Sequence, residues 1–153
     1  DNTIKTRFIF EINKGSNKND QIDVNSAISH EDRRVPVDQM IYIADGPSDV
    51  PVFAVVKGMG GKTYAVYDPN NEKEFQQSCS LVEHGRVHNN GPADYRINSP
   101  THMWIKQKTT DILRKMISKK EKHITEKTGN SPTHIPASSE QPISYAVDQK
   151  LLW

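Results

Sequence analysis

Apolar positions along the chain fall into short blocks separated by polar, turn-forming stretches. Residues 4–13, IKTRFIFEIN, set Ile4, Phe8, Ile9 and Ile12 at helical spacing. Phe8, Phe10 and Ile12 also alternate, so a helix is expected and a strand stays open. The following GSNKNDQIDVNSAISHEDRRVP, residues 15–36, is polar and rich in turn formers and reads as a long surface loop. Met40–Ala44, MIYIA, is a continuous apolar run, the pattern of a strand buried on both faces. It leads directly into the turn Asp45-Gly46-Pro47-Ser48-Asp49, where Gly46 is expected to let the backbone turn tightly. Residues 50–61 carry Val52, Phe53, Val55 and Val56 on a helix-length segment, with Pro51 in the first turn and Gly58, Gly60 and Gly61 as the stop.

A second short apolar run, KTYAVYDP at 62–69, makes the series strand, helix, strand, which predicts a βαβ unit with parallel, right-handed connection. Residues 71–84 predict another helix with Phe75, Cys79, Leu81 and Val82 towards the core, and RVHNNGPADY a short strand or extended piece. The segment 101–123 places Ile105, Ile112, Leu113, Met116 and Ile117 on one face of an amphipathic helix. From Thr125 to about Pro142 the composition is that of a disordered stretch, before ISYAVDQKLLW regains apolar character. The expected division is therefore a packed part, 1–123, and a Ser/Thr/Pro-rich flexible tail, 124–153.

Composition sharpens this picture. Of 153 residues only 34% are hydrophobic, with a mean hydropathy of −0.74. That lies below the usual apolar share of about 45–50%, a figure that includes glycine. Either part of the chain is unpacked or its core is completed by residues outside it. The first residue is Asp1, which suggests an excerpt of a longer protein. No run approaches the ~20 apolar residues of a membrane span and no secretory leader is seen, so a cytoplasmic location is expected. A single cysteine excludes an internal disulfide framework, and a net charge of +1 argues against general nucleic-acid binding.

The strongest chemistry lies at the end of the first apolar run. Ligands of open parallel α/β sheets sit outside the carboxyl ends of the strands, and Asp45 falls there with Asp49 four residues on. Two carboxylates at one strand end suit Mg²⁺, which takes one or two carboxylates with waters and phosphate oxygens. The same residues also fit a plain turn, with Asp45 opening it and Asp49 capping the next helix. Both readings stand on spacing alone.

MIYIADGPSDVPVFAVVKGMGGKTYAVYDP resembles the fourth motif and flanking strands of the haloacid dehalogenase (HAD) superfamily of phosphohydrolases. KTRFIFEINKG, VPVDQMIYIADGPSDVPVF and GRVHNNGPADY are similar to a bacterial subgroup of that superfamily, over residues 3 to 120 or so. Ala44 departs from the glycine usual there. The resemblance implies an α/β, HAD-like Rossmannoid fold, a parallel sheet flanked by helices. It is incomplete, with only the later core strands present. It further implies that Asp45 binds Mg²⁺, that Asp49 supports the metal shell and pairs with a lysine, and that Lys5 holds the phosphate, with Lys14 as the alternative. Lys14 has a plain reading too, since a cation at a helix end before Gly15 suits the dipole. The nucleophile motif, Asp-x-Asp-x-Thr after an apolar run, is absent, because Asp20, Asp23 and Asp32 lie in the polar loop. The implied function is a fragment of an Mg²⁺-dependent phosphohydrolase, inactive alone, that works through an aspartyl-phosphate in the full-length protein. Its partners are then a small phosphorylated substrate and the missing N-terminal half of the domain. The rival is a non-catalytic HAD-like module that binds a partner, using the basic helix 101–123.

Weaker features have plainer readings. His84 and His88 are four apart, but Gly85 breaks the helix between them. Cys79 reads as a small buried residue. Seven Lys and Arg against Asp111 and Glu121 in 106–122 read as a solvated helix face, without the interleaved aromatics that base stacking needs.

Overall fold

The computed structural model describes residues 2–129. Helix α1 (Asn2–Lys14) is followed by the long loop, then strand β1 (Ile41–Ala44), helix α2 (Val50–Gly58) and strand β2 (Lys62–Tyr67). Helix α3 (Glu72–Glu83), strand β3 (Asn89–Pro92) and helix α4 (Pro100–Thr128) complete the series. Single 3-10 turns at Val37–Gln39 and Pro47–Asp49 lead into β1 and α2. The protein is thus mixed α/β, with a small parallel sheet in the order β1-β2-β3. Ile41 pairs with Lys62 and Ala44 with Ala65 on one side of β2, and Tyr64 with Asn89 on the other. No described helix is long and apolar enough to cross a membrane.

Alternation along the strands separates two layers. Tyr42, Ala44 and Ala65 turn towards α2 and α3, where Phe53, Leu81 and Val87 close a buried cluster around them. Ile9 of α1 packs with Val37, Val52 and Val56 in a second cluster that Tyr42 also touches. Tyr64 points to the opposite face, stacked on Trp104 of α4 with ring centroids 4.5 Å apart. Its hydroxyl meets Thr101 Oγ1 at 3.3 Å. Gly91 of β3 is forced by that packing, since a Cβ there would fall 2.1 Å from the Tyr64 hydroxyl. Such a close approach also explains a strand written Asn-Asn-Gly-Pro, which has little strand propensity of its own.

Caps fix the helix starts. Asn71 accepts from the backbone N–H groups of Lys73 and Glu74, and Ser99 from that of His102 ahead of Pro100. The loop 15–36 is fastened to the end of α1. Asn13 Nδ2 donates to Val35 O at 2.8 Å, and Lys14 Nζ donates to Val24 O and Ser26 O.

Several expectations change. The segment 4–13 is helical, but of its apolar residues only Ile9 is buried, while Ile4 and Phe8 stay about half exposed at 50% and 53%. β1 is partly buried along its length and lies at an edge; the strand covered on both faces is β2, through Thr63–Val66. Phe75 is exposed and leans edge-on against Tyr67; Leu81 turns inward as expected, joined by Ser78. α4 continues to Thr128, five residues past the expected boundary at 123, and residues 124–128 are helical. The remaining tail, including ISYAVDQKLLW, lies outside the described residues.

Two glycines in one short segment test this packing. A Cβ on Gly61 would lie 2.6 Å from both Val37 O and Val56 Cγ1, whereas one on Gly58 meets nothing within 4 Å. Gly61→Ala is expected to destabilise the fold by about 1–3 kcal/mol. Gly58→Ala, in the last turn of α2, should stabilise it by about 0.5–1 kcal/mol. Urea denaturation of the two variants checks the opposite signs.

Candidate functional site

The carboxyl end of β1 gathers residues from three elements. β1 stops at Ala44, and Asp45 stands exposed immediately beyond it. Gly46 is extended (φ −150, ψ 174) and a Cβ on it would meet nothing within 4 Å. The expected need for glycine at this turn is therefore not met in the backbone. The turn is closed instead by Asp49 N, which donates to Gly46 O at 3.0 Å, with Pro47 at its first position.

Asp49 is the polar centre. It is 1% exposed, yet it makes no side-chain cap to α2. Its carboxylate turns back across the sheet end. Lys5 Nζ donates to Oδ1 at 2.8 Å, from 44 residues away. The Tyr42 hydroxyl donates to the same oxygen at 2.6 Å, and Ser48 Oγ donates to Oδ2 at 3.3 Å. Burial raises the Asp49 pKa, but the hydrogen bonds from Lys5, Tyr42 and Ser48 outweigh it and hold the carboxyl below its ordinary value. Tyr42 shows the reverse. Burial first, then the Asp49 carboxylate and more distantly Asp45, push its phenol far above the usual range, so it stays protonated and donates. Phe53 holds the ring edge-on at a centroid distance of 5.5 Å.

The two carboxylates of the turn thus separate in character. Asp49 is taken up by three donors. Asp45 faces an open depression at the strand ends, lined also by Val66, Tyr67, Asp68, Glu74 and Ala93. Glu74 accepts from the backbone of Asp68 and from Asn71, which leaves Asp45 as the carboxylate there without a hydrogen bond to a described residue. No group of three or more His, Cys, Asp or Glu that could hold a metal ion occurs among the described residues.

The structure places the two candidate lysines in different settings. Lys5 joins Asp49, and Lys14 is occupied by loop carbonyls 10 and 12 residues away. His84 and His88 make separate bonds, the first to Ser80 and the second to Thr63. Cys79 Sγ accepts from Asn90 Nδ2 at 3.4 Å. Tyr42 and Ser48 were not singled out by the sequence, although a phenol within an otherwise apolar strand, three residues before Asp45, was a readable signal.

Comparison with known proteins adds one relative. The chain is 35% identical over 111 residues to a protein of Borreliella burgdorferi described only as uncharacterized. The match takes in 71% of this chain and 36% of the relative, so the chain spans about a third of the length of the curated protein it matches. No family model matches, and no solved structure matches.

A buried carboxylate with a lowered pKa makes stability depend on acid. Asp49 contributes fully above its unfolded pKa of about 3.9 and loses that contribution as pH falls through its lower folded value. Asp49→Asn should therefore be less stable than the parent near neutrality, and the gap should narrow progressively below about pH 4. Urea denaturation of both proteins at stepped pH reads this directly; a gap independent of pH would contradict the assigned hydrogen bonds.

Proposed function

We propose that this chain is the later part of a HAD-like Rossmannoid core belonging to an Mg²⁺-dependent phosphohydrolase. The observation that carries the reading is the 2.8 Å pair between Lys5 Nζ and Asp49 Oδ1 at the end of β1, beside an exposed Asp45. A lysine, its buried carboxylate partner and a strand-end carboxylate are the elements expected from the resemblance.

The roles follow from their surroundings. Asp45, exposed and without a hydrogen-bonding partner among the described residues, would hold the metal, with waters and phosphate oxygens completing its shell. Mg²⁺ would supply neutralisation of charge on the phosphoryl oxygens. Lys5 gives one N–H to Asp49, and an ammonium has three; its side chain is 43% exposed, so it can present charge to a phosphate while remaining anchored. Asp49 acts through Lys5 as a positioning residue, and Tyr42 and Ser48 hold Asp49. This refines the expected role of Asp49, whose oxygens are engaged by protein donors and not turned to a metal. Asp20, Asp23 and Asp32 are exposed loop residues, so the described residues hold no nucleophile at this site. The outer edge of β1, unpaired among the described residues, is where a further strand carrying the nucleophilic aspartate would pair. The ester P–O bond would then break as the phosphoryl group passes to that aspartate and the alcohol leaves, and water would release inorganic phosphate and restore the carboxylate.

A non-catalytic partner-binding module is the second reading, favoured by the exposed later half of α4. Phosphatase assay of the longest natural form of the protein with a generic aryl phosphate separates the two. Under the first reading hydrolysis requires Mg²⁺ and falls about 10²-fold or more in Asp45→Asn and in Lys5→Met. Hydrolysis that survives Asp45→Asn unchanged, or that ignores Mg²⁺, would overturn the metal assignment.

A further inference from the structure

Helix α4 leaves the domain. Thr101 and Ile112 are its buried residues, and every described residue from Leu113 to Thr128 is exposed. About 24 Å of helix therefore runs on from the packed first half of α4 with its described residues exposed. One face of that free portion is apolar. Leu113, Ile117 and Ile124 are 50%, 57% and 50% exposed, and Met116 flanks them at 41%. Their spacing of four, then seven, with Lys120 between, is the d-a-d-a pattern of a coiled-coil seam, with Leu at d and Ile at a. Lys127 takes the next d position.

We propose that this free half of α4 is a docking surface for an acidic amphipathic helix, paired in parallel along the Leu113–Ile117–Ile124 seam. Charge selects the occupant. Between Leu113 and Thr128 six Lys and Arg stand against Glu121 and Glu126. A second copy in parallel would set Lys120 against Lys120 and Lys127 against Lys127 inside the seam, and would bring two basic helices together. An anionic membrane suits the basic face, but the apolar strip is narrow, holds no aromatic residue and carries Lys120 at its middle. A helix with Glu or Asp opposite Lys120 and Lys127 satisfies both the seam and the two lysines. The inference stands apart from the phosphohydrolase reading, as none of these residues belongs to the Asp45 site.

The test uses the full chain and a fluorescent three-heptad peptide with Ile at a, Leu at d, Glu at the two positions facing Lys120 and Lys127, and Glu at e and g. Anisotropy should show binding that weakens with added salt, and that falls about tenfold or more in Lys120→Glu and in the double variant Ile117→Ser, Ile124→Ser. A peptide carrying Lys opposite position 120 should recover binding to Lys120→Glu. Circular dichroism and urea denaturation confirm that the variants keep the fold, which these exposed positions do not support. The proposal is overturned if the parent does not bind the peptide, or if binding ignores the seam and charge substitutions. It is equally overturned if sedimentation shows a dimer that Ile117→Ser, Ile124→Ser dissolves, or if phosphatidylserine vesicles bind the helix and the peptide does not.

Discussion

Burying a carboxylate is costly unless donors replace its water, and in this fold the replacement is drawn from separate parts of the chain. Asp49 immediately precedes α2, Tyr42 stands on β1 and Lys5 comes from the first turns of α1. The three meet on one oxygen, so the position of α1 relative to the strand end is tied to the position of the turn that carries Asp45. Apolar packing holds the same arrangement from below. Ile9 sits with Val52 and Val56, which sets α1 against α2 so that Lys5, four residues earlier, reaches the strand end. Lys5 is 43% exposed and solvent screens its charge, so the ion pair contributes less stability than a sealed one. Its value lies in geometry: a mobile lysine is fixed at one end of the sheet.

The sheet itself is small for the helices that cover it. β2 alone is buried on both faces, β3 closes one side, and β1 leaves its other side unpaired among the described residues. α1, packed on α2, leaves Ile4, Phe8 and Ile12 exposed along a face that an amphipathic helix would ordinarily bury. An edge strand presents unpaired backbone N–H and C=O groups, and the edge of β1 does so among the described residues. The low apolar fraction of the sequence fits the small size of this core. A short core needs few apolar residues, and much of the chain either skirts it, as loop 15–36 does, or leaves it, as α4 does beyond Ile112.

What the sequence told well was local. The order of helices and strands, the helix-bearing turn after Ala44 and the parallel βαβ unit follow from runs, periods and turn residues, which act within a few positions. What it told badly was whether a patterned face has anything to face. Phe75 and Phe8 hold their helical register yet stay exposed, because periodicity reports orientation and not the presence of a neighbour. The MIYIA run suggested full burial for the same reason, and the edge position of β1 denied it. Asp49 shows a different limit. An aspartate before a helix suggests a cap from local statistics, but donors 7 and 44 residues away claimed its carboxylate, and nothing in the adjacent sequence records them. Tyr42 was the partial exception, a polar tip on an apolar strand that needed a partner once buried.

Spacing made Asp45 and Asp49 look like a pair, and environment makes them opposites. One is exposed, open to a depression at the strand ends and without a hydrogen-bonding partner among the described residues; the other is sealed and saturated by protein donors. A carboxylate held by a lysine and a phenol is poorly placed to exchange those donors for a metal, because each donor left behind would itself lose a partner in a partly buried site. An exposed carboxylate has no such debt. The division of labour at the strand end therefore follows from burial before any ligand is considered. Asp49 is saturated, Asp45 is open, and Lys5 carries charge from the buried carboxylate out towards the surface.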